Sequence, residues 1–363
     1  MKITTAAMTA AFLASTTLAQ EPNIDSLLAK LPKAESFERP KVDQVTRDVQ
    51  SMKNDPTARA ILAALQRGDK AAALRAAQTL GLKFPQNAAA HLAEGVMGLV
   101  CRQAEVANSA FRRAVALNPN FADAYYGLAA SLALRGQFAN AMTPLRRGAL
   151  LEPNNPAFPL ALSLCAQKLG HREERVAFAR QATQIAPSNL VAWVDLARAE
   201  NGIKQPVAAM QALSRAAELA PDIPSIQLAL GLGFINLKED TKAIPHLQWL
   251  AQRQPDLFIV HAQLGYCYLK QGQTNAAVDS LRRATSLAPK YGPAWNHLGL
   301  AYERQGKNGD ALKAFQRATE LMPTSRSAWE KYSAELREVG KIDDANKAAA
   351  RAATLKPAGR AAP

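Results

Sequence analysis

The sequence predicts an all-α protein built as a linear array of helix pairs. Three observations carry this. Prolines stand at 85, 119, 153, 187, 221, 255, 289, 323 and 357, each 34 residues after the last. Small residues and glycines keep the same period. Between these marks the apolar residues recur at helical spacing rather than alternating as in a strand.

The chain begins with a stretch that reads as a secretory leader. Lys2 supplies a positive start, an Ala/Thr-rich apolar run containing Phe12 and Leu13 follows, and Thr17-Leu18-Ala19 places small residues where cleavage would leave Gln20 as the new N-terminus. Residues 1–19 are therefore expected to be removed, leaving a periplasmic or secreted protein. The alternative, a membrane anchor, is disfavoured by the length and Thr content of the run. No Cys follows the cleavage point to take a lipid, and no later segment reaches the ~20 apolar residues needed to cross a bilayer.

Residues 20–53 stand outside the repeats. "NIDSLLAKL" and "PKVDQVTRDVQSMK" fit two short helices, the second a candidate polar cap for the first repeat. Nine units follow over 54–359: 54–87, 88–121, 122–155, 156–189, 190–223, 224–257, 258–291, 292–325 and 326–359. Residues 360–363 form a Pro/Ala tail expected to fray.

Within a unit, the proline is position 32. Position 15 is Gly at 68, 136, 170, 272, 306 and 340, where a left-handed cap ends the first helix. Proline then closes the second helix, because it cannot continue one. Position 8 is small in eight units (Gly95, Ala129, Ser163, Ala197, Gly231, Gly265, Gly299, Ser333), with Ile61 the exception. Position 20 is Ala except for Arg175. Small residues at 8, 20 and 27 let paired helices approach, and large ones at 4, 7, 11 and 24 fill the space between pairs. One unit cannot bury these faces alone, but a stack can.

Three departures stand out. A buried guanidinium at Arg175 is costly without a partner, for which Glu174 is the candidate. Pro144 and Pro245 lie inside second helices and are expected to kink them. The first unit lacks both the aromatic at position 4 and the small residue at position 8.

The unit "PAWNHLGLAYERQGKNGDALKAFQRATELMP" (293–323) resembles the tetratricopeptide repeat at Trp295, Leu298, Gly299, Tyr302, Gly306, Ala311, Phe315, Ala318 and Pro323. The resemblance extends over 54–359. It implies a right-handed α-solenoid, with first helices lining a concave groove and second helices forming a convex back. It also implies binding rather than catalysis.

Composition agrees. Hydrophobic residues make up 48% and aromatics only 6%, which suits close helix packing. The net charge of +14 becomes +13 without the leader, whose one charged side chain is Lys2. The excess is spread thinly along the units, whereas nucleic-acid binders gather it on a stripe. Nucleic acid is not an expected partner. Cys101, Cys165 and Cys267 fall in well-separated units, so no internal disulfide is expected. His91, His171, His246, His261 and His297 show no metal spacing, and no HExxH, CxxC, GxSxG or phosphate loop occurs. Neither enzyme nor cofactor or metal site is expected. His91 and His261 occupy position 4 and read as core-edge residues.

By the resemblance, positions 5, 9 and 12 of the first helices face the groove. The candidate protein-binding residues are Leu92, Val96, Tyr126, Leu160, Leu164, Val194, Arg198, Leu228, Leu232, Ile235, Tyr266 and Leu269. The last two units turn polar, with Asn296, Glu303, Glu330 and Arg337. The alternatives are that these positions only pack against the next unit, or that the N-terminal segment itself fills the groove. The Lys/Asn clamp with which some family members hold a C-terminal carboxylate is absent. On the convex back, position 26 gives a basic ladder, Arg113, Arg147, Arg215, Arg283 and Arg317, interrupted by Trp249. It reads as a solvated ridge or as a contact for an acidic partner or anionic envelope polymer. The function expected is an exported scaffold that binds protein or peptide segments in envelope assembly or secretion. The alternative is a structural, self-associating envelope component.

Overall fold

The computed structural model describes Met52 and residues 55–355. The leader, nearly all of 20–53 and the tail lie outside these residues. The described residues form eighteen α-helices and no strand.

The helices fall into two compact units. The first holds α1 (Pro56–Gln66), α2 (Lys70–Lys83), α3 (Ala88–Val100), α4 (Ala104–Leu117), α5 (Ala122–Leu134), α6 (Phe138–Leu151), α7 (Ala157–Leu169), α8 (Arg172–Ile185), α9 (Leu190–Gly202) and α10 (Pro206–Leu219). The second holds α11 (Pro224–Asn236), α12 (Asp240–Arg253), α13 (Phe258–Lys270), α14 (Thr274–Leu287), α15 (Gly292–Arg304), α16 (Asn308–Leu321), α17 (Arg326–Glu338) and α18 (Ile342–Thr354). Within each unit every helix packs on the next, so odd and even helices form antiparallel pairs that stack in chain order. First helices of neighbouring pairs also touch, α3 on α5, α11 on α13 and α13 on α15. No pair of second helices meets to that extent, which places the first helices on the inner side of each stack.

Packing inside a pair follows from size complementarity. A methyl added at Gly95 would sit 2.7 Å from the Phe111 ring, and one at Gly299 2.6 Å from Phe315. Position 8 must be small because the position-24 side chain of the same repeat lies over it. In the first pair, Ile61 fills that site from the other side and is fully buried. The missing signature residues therefore do not cost α1 and α2 their place in the stack.

All nine residues at position 15 are left-handed, including three that are not glycine: Arg102 (φ 56°), Lys204 (φ 60°) and Lys238 (φ 61°). Pro144 and Pro245 do not break their helices. α6 and α12 run unbroken for 14 residues, the length of the proline-free α4 and α8.

Six position-4 side chains share one task. Trp193, Trp295 and Trp329 donate their indole N–H to the carbonyls of Pro187, Pro289 and Pro323 at 2.8, 2.9 and 3.1 Å. Gln227 donates to Pro221 at 2.9 Å. His91 and His261 place Nε2 at 3.0 and 2.8 Å from the carbonyls of Pro85 and Pro255. Each bond reaches back six residues and fastens a first helix to the proline turn before it. Both histidines thus act as hydrogen-bonding latches of the repeat.

Candidate functional site

The inner, first-helix face is where a guest would meet side chains, and burial decides which of them it could touch. Of the twelve candidate residues, seven are buried: Leu92, Val96, Leu160, Val194, Leu228, Leu232 and Leu269. They hold neighbouring pairs together, and the reading of them as a lining is corrected accordingly. Position 5 faces the next pair more than it faces outward. Five remain half-buried: Tyr126, Leu164, Arg198, Ile235 and Tyr266.

In the first unit the inner face carries a row of half-buried apolar side chains, Leu62, Leu65, Leu99, Tyr126 and Leu164. Leu62 and Leu65 belong to the first pair, and their positions 9 and 12 are the signal that would have added them. Tyr126 stands edge-on to Phe158, ring centres 5.7 Å apart. In the second unit Ile235, Tyr266 and Leu300 are half-buried. Tyr266 leans on His297 at 5.3 Å, with the Lys270 ammonium 5.5 Å from its ring centre. Burial and the nearby Lys270 charge push His297 down to about 4, so it is neutral at ordinary pH. Towards the end of this unit the face turns charged. Glu303 and Arg337 are exposed, and Glu330 accepts from Arg326 at 2.7 Å.

The first unit also contains a buried polar cluster. Arg175 does not pair with Glu174, which instead faces Arg146 at 3.4 Å and His171 at 3.6 Å. The guanidinium turns inward and donates Nη2–H to Asp195 Oδ1 at 2.8 Å. Ser163, at the small position 8, donates to the other oxygen, Oδ2, at 2.5 Å. One serine hydroxyl and one aspartate in the next repeat thus replace the usual alanine contact. Arg180 donates through Nε (2.9 Å) and Nη2 (2.6 Å) to Oε1 of the buried Glu200. Arg180 and Glu200 are twenty residues apart, like Gln248 and Tyr268 (2.8 Å) and Arg282 and Tyr302 (2.8 Å). Position 25 of one repeat thus reaches position 11 of the next at three junctions.

The ladder on the outer helices is largely spoken for. Arg215 pairs with Glu218, Arg283 with Asp256 and Arg317 with Glu320, each at 2.7 Å. Trp249 is half-buried beneath the Arg253 guanidinium, 4.1 Å from its ring centre. Arg113 and Arg147 are exposed.

Other chemistry is thin. Cys165 and Cys267 are buried, and burial pushes both thiols up to about 12, which leaves them poor nucleophiles. Cys101 is half-buried and all three thiols are free. Among the described residues no His, Cys, Asp or Glu cluster suits a metal, and no helix is long and apolar enough to cross a membrane.

Tetratricopeptide-repeat models match residues 110–143 and 262–326, on helix pairs of both units. The chain carries tetratricopeptide repeats. None of the curated proteins compared with this repeat protein matches it. Solved structures similar to it include YrrB, described as a TPR protein with an unusual peptide-binding site (16% identity, 51% of this chain and 95% of that one, TM-score 0.45). Others are MamA from Desulfovibrio magneticus RS-1 (19% identity, 46% and 94%, TM-score 0.43) and MamA AMB-1 (24%, 47% and 93%, TM-score 0.41).

Proposed function

We propose that this repeat protein is a scaffold that captures extended or helical protein segments on its first-helix face. The observation that supports this reading most is the row Leu62, Leu65, Leu99, Tyr126 and Leu164. These side chains are too apolar to prefer water, yet are left partly uncovered. Each guest side chain buried there would gain about 1.5–3 kcal/mol, and ordering costs bring the net to roughly micromolar affinity. The leader-like residues 1–19 support a periplasmic or secreted setting, in envelope assembly or secretion.

The self-associating alternative leans on the outer arginines, three of which are already satisfied by the chain's own carboxylates. We therefore favour peptide capture. Pull-down and cross-linking from envelope fractions tests it, using wild type beside a Tyr126→Asp, Leu164→Asp double variant. Both sites are half-buried, so the variant should keep its helical circular-dichroism signal and lose the captured proteins. Unchanged capture by a folded variant would sink the reading.

A further inference from the structure

By repeat, the positive charge is spread thinly; by helix, it is not. The first three second helices, α2, α4 and α6, carry Lys70, Arg75, Lys83, Arg112, Arg113, Arg146 and Arg147 against one carboxylate, Glu105. From α8 onward no second helix has a surplus above one: Arg215 meets Glu218 on α10, and Asp343 and Asp344 match Lys347 and Arg351 on α18. We propose that the outer face of the first three repeats lies against a bilayer surface rich in anionic lipid. This use of the outer side leaves the first-helix face open.

The chain itself leaves most of these cations unmatched. Lys83 pairs with Asp55, and Arg146 faces Glu174 at 3.4 Å. Glu105 is taken by Arg135 of α5 at 3.0 Å. At the ends of α2 and α6, Asp69 accepts from the Ala72 N–H and Glu152 from Asn155. Lys70, Arg75, Arg112, Arg113 and Arg147 are exposed and have no ion pair among the described residues.

Exposed leucines on the same helices select a lipid surface over a soluble polyanion. Leu82 is 80% exposed and Leu150 74%, the two highest values among the large apolar side chains described. Both occupy position 29. Leu82 lies seven residues after Arg75, and Leu150 three and four after Arg147 and Arg146, so each shares an outward stripe with arginine. Leu117 follows Arg113 by four and is also exposed. In the later repeats position 29 is polar throughout: Gln184, Glu218, Gln252, Ser286, Glu320 and Thr354. The apolar tips and the surplus charge therefore end at the same repeat. At a bilayer the leucines enter the boundary between headgroups and acyl chains, while the guanidiniums bind lipid phosphates. A soluble polyanion would engage the arginines and leave the leucines in water.

Co-sedimentation of the full chain with phosphatidylcholine vesicles, with and without phosphatidylglycerol, tests this. Binding should require phosphatidylglycerol and fall as salt rises. The Arg112→Gln, Arg113→Gln, Arg147→Gln protein should bind about a hundredfold more weakly. Arg215→Gln, Arg283→Gln, Arg317→Gln removes the same charge elsewhere and should stay within about fivefold of wild type. Leu82→Ser, Leu150→Ser should weaken vesicle binding by about tenfold and leave heparin binding unchanged. All these sites are exposed except for their ion pairs, so each variant should keep its helical circular-dichroism signal. Equal loss in the two arginine variants would mean that net charge alone acts and would overturn the proposal. So would unchanged binding of every variant, which would place the contact elsewhere, for instance on residues 1–19. Binding to heparin but not to the anionic vesicles, or indifference to the leucine changes, would replace the lipid surface with a soluble polyanion and also overturn it.

Discussion

His297 shows how much one residue's surroundings can change its chemistry. Its ring lies against Tyr266 inside the second unit, and burial, aided by the Lys270 charge, drives it to about 4. In the unfolded chain the same ring titrates near 6.5. Above that pH it is neutral in both states and contributes no pH dependence. As pH falls below 6.5 the unfolded chain takes up a proton that the folded chain refuses until about 4. Stability is therefore full above 6.5 and lost between 6.5 and 4, by on the order of 3 kcal/mol in all. Urea unfolding of wild type and His297→Gln at pH 7.5 and pH 4.5 isolates this effect, because the carboxylates are common to both proteins. The wild-type advantage should shrink by roughly 2 kcal/mol between those pH values; a constant gap would mean that the ring is hydrated. Nothing in the sequence distinguishes His297 from the other histidines, because its shift comes from α13, one repeat away. His91 and His261 differ in this respect. Their place at position 4, where other repeats have Trp, marked them as structural in advance.

At the scale of the helix, the turn after each first helix needs a left-handed residue, and six repeats supply glycine. Arg102, Lys204 and Lys238 adopt the same conformation with a Cβ, at a steric cost of about 1–2 kcal/mol each. Glycine relieves that cost but loses about 0.5–1 kcal/mol of chain entropy, so each substitution to Gly should stabilise by about 0.5–1 kcal/mol. The triple variant should unfold at measurably higher urea in each unit that carries a substitution. No change, or a loss, would mean that these long side chains make contacts worth more than the strain. The glycine period made six of these turns legible. The other three were not, because Arg and Lys carry no conformational signature of their own. The same limit applied to Arg175. Its position flagged a problem, but the solution, Asp195 and Ser163, depends on two further helices. Pro144 and Pro245 leave their helices continuous because α6 and α12 each pack on both neighbouring first helices, which keeps the helix running past the missing N–H.

Along a stack, each pair is covered by its neighbours, so stability is a sum of pair and junction contributions rather than one shared core. The period of 34 made this architecture readable throughout, since it repeats whatever any single residue does. The exposure of the inner face was not readable. Positions 5, 9 and 12 are apolar both where they seal a junction and where they face outward, and only the packing of the next pair tells Leu232 from Leu164. The same reasoning ranks the pairs. α15 and α16 bury Leu298, Tyr302 and Phe315. In α17 and α18 the buried set is mostly Ala328, Ala345, Ala348 and Ala352, with Leu336 the one large side chain among the described residues. That pair also buries Ser333 and Glu335. Burial, with Glu303 and Glu338 nearby, pushes the Glu335 carboxyl up, so its charged form weakens the pair at neutral pH. Ile342 is exposed at the start of α18, where it adds little. Hydrogen exchange followed by mass spectrometry should therefore show α17 and α18 exchanging well before α15 and α16, with α18 first. Glu335→Gln should slow exchange in α17 at pH 8 more than at pH 5, because only the charged carboxylate is penalised. Uniform exchange across the four pairs of this unit would show that it unfolds as one body, with the terminal pair as firmly held as those within.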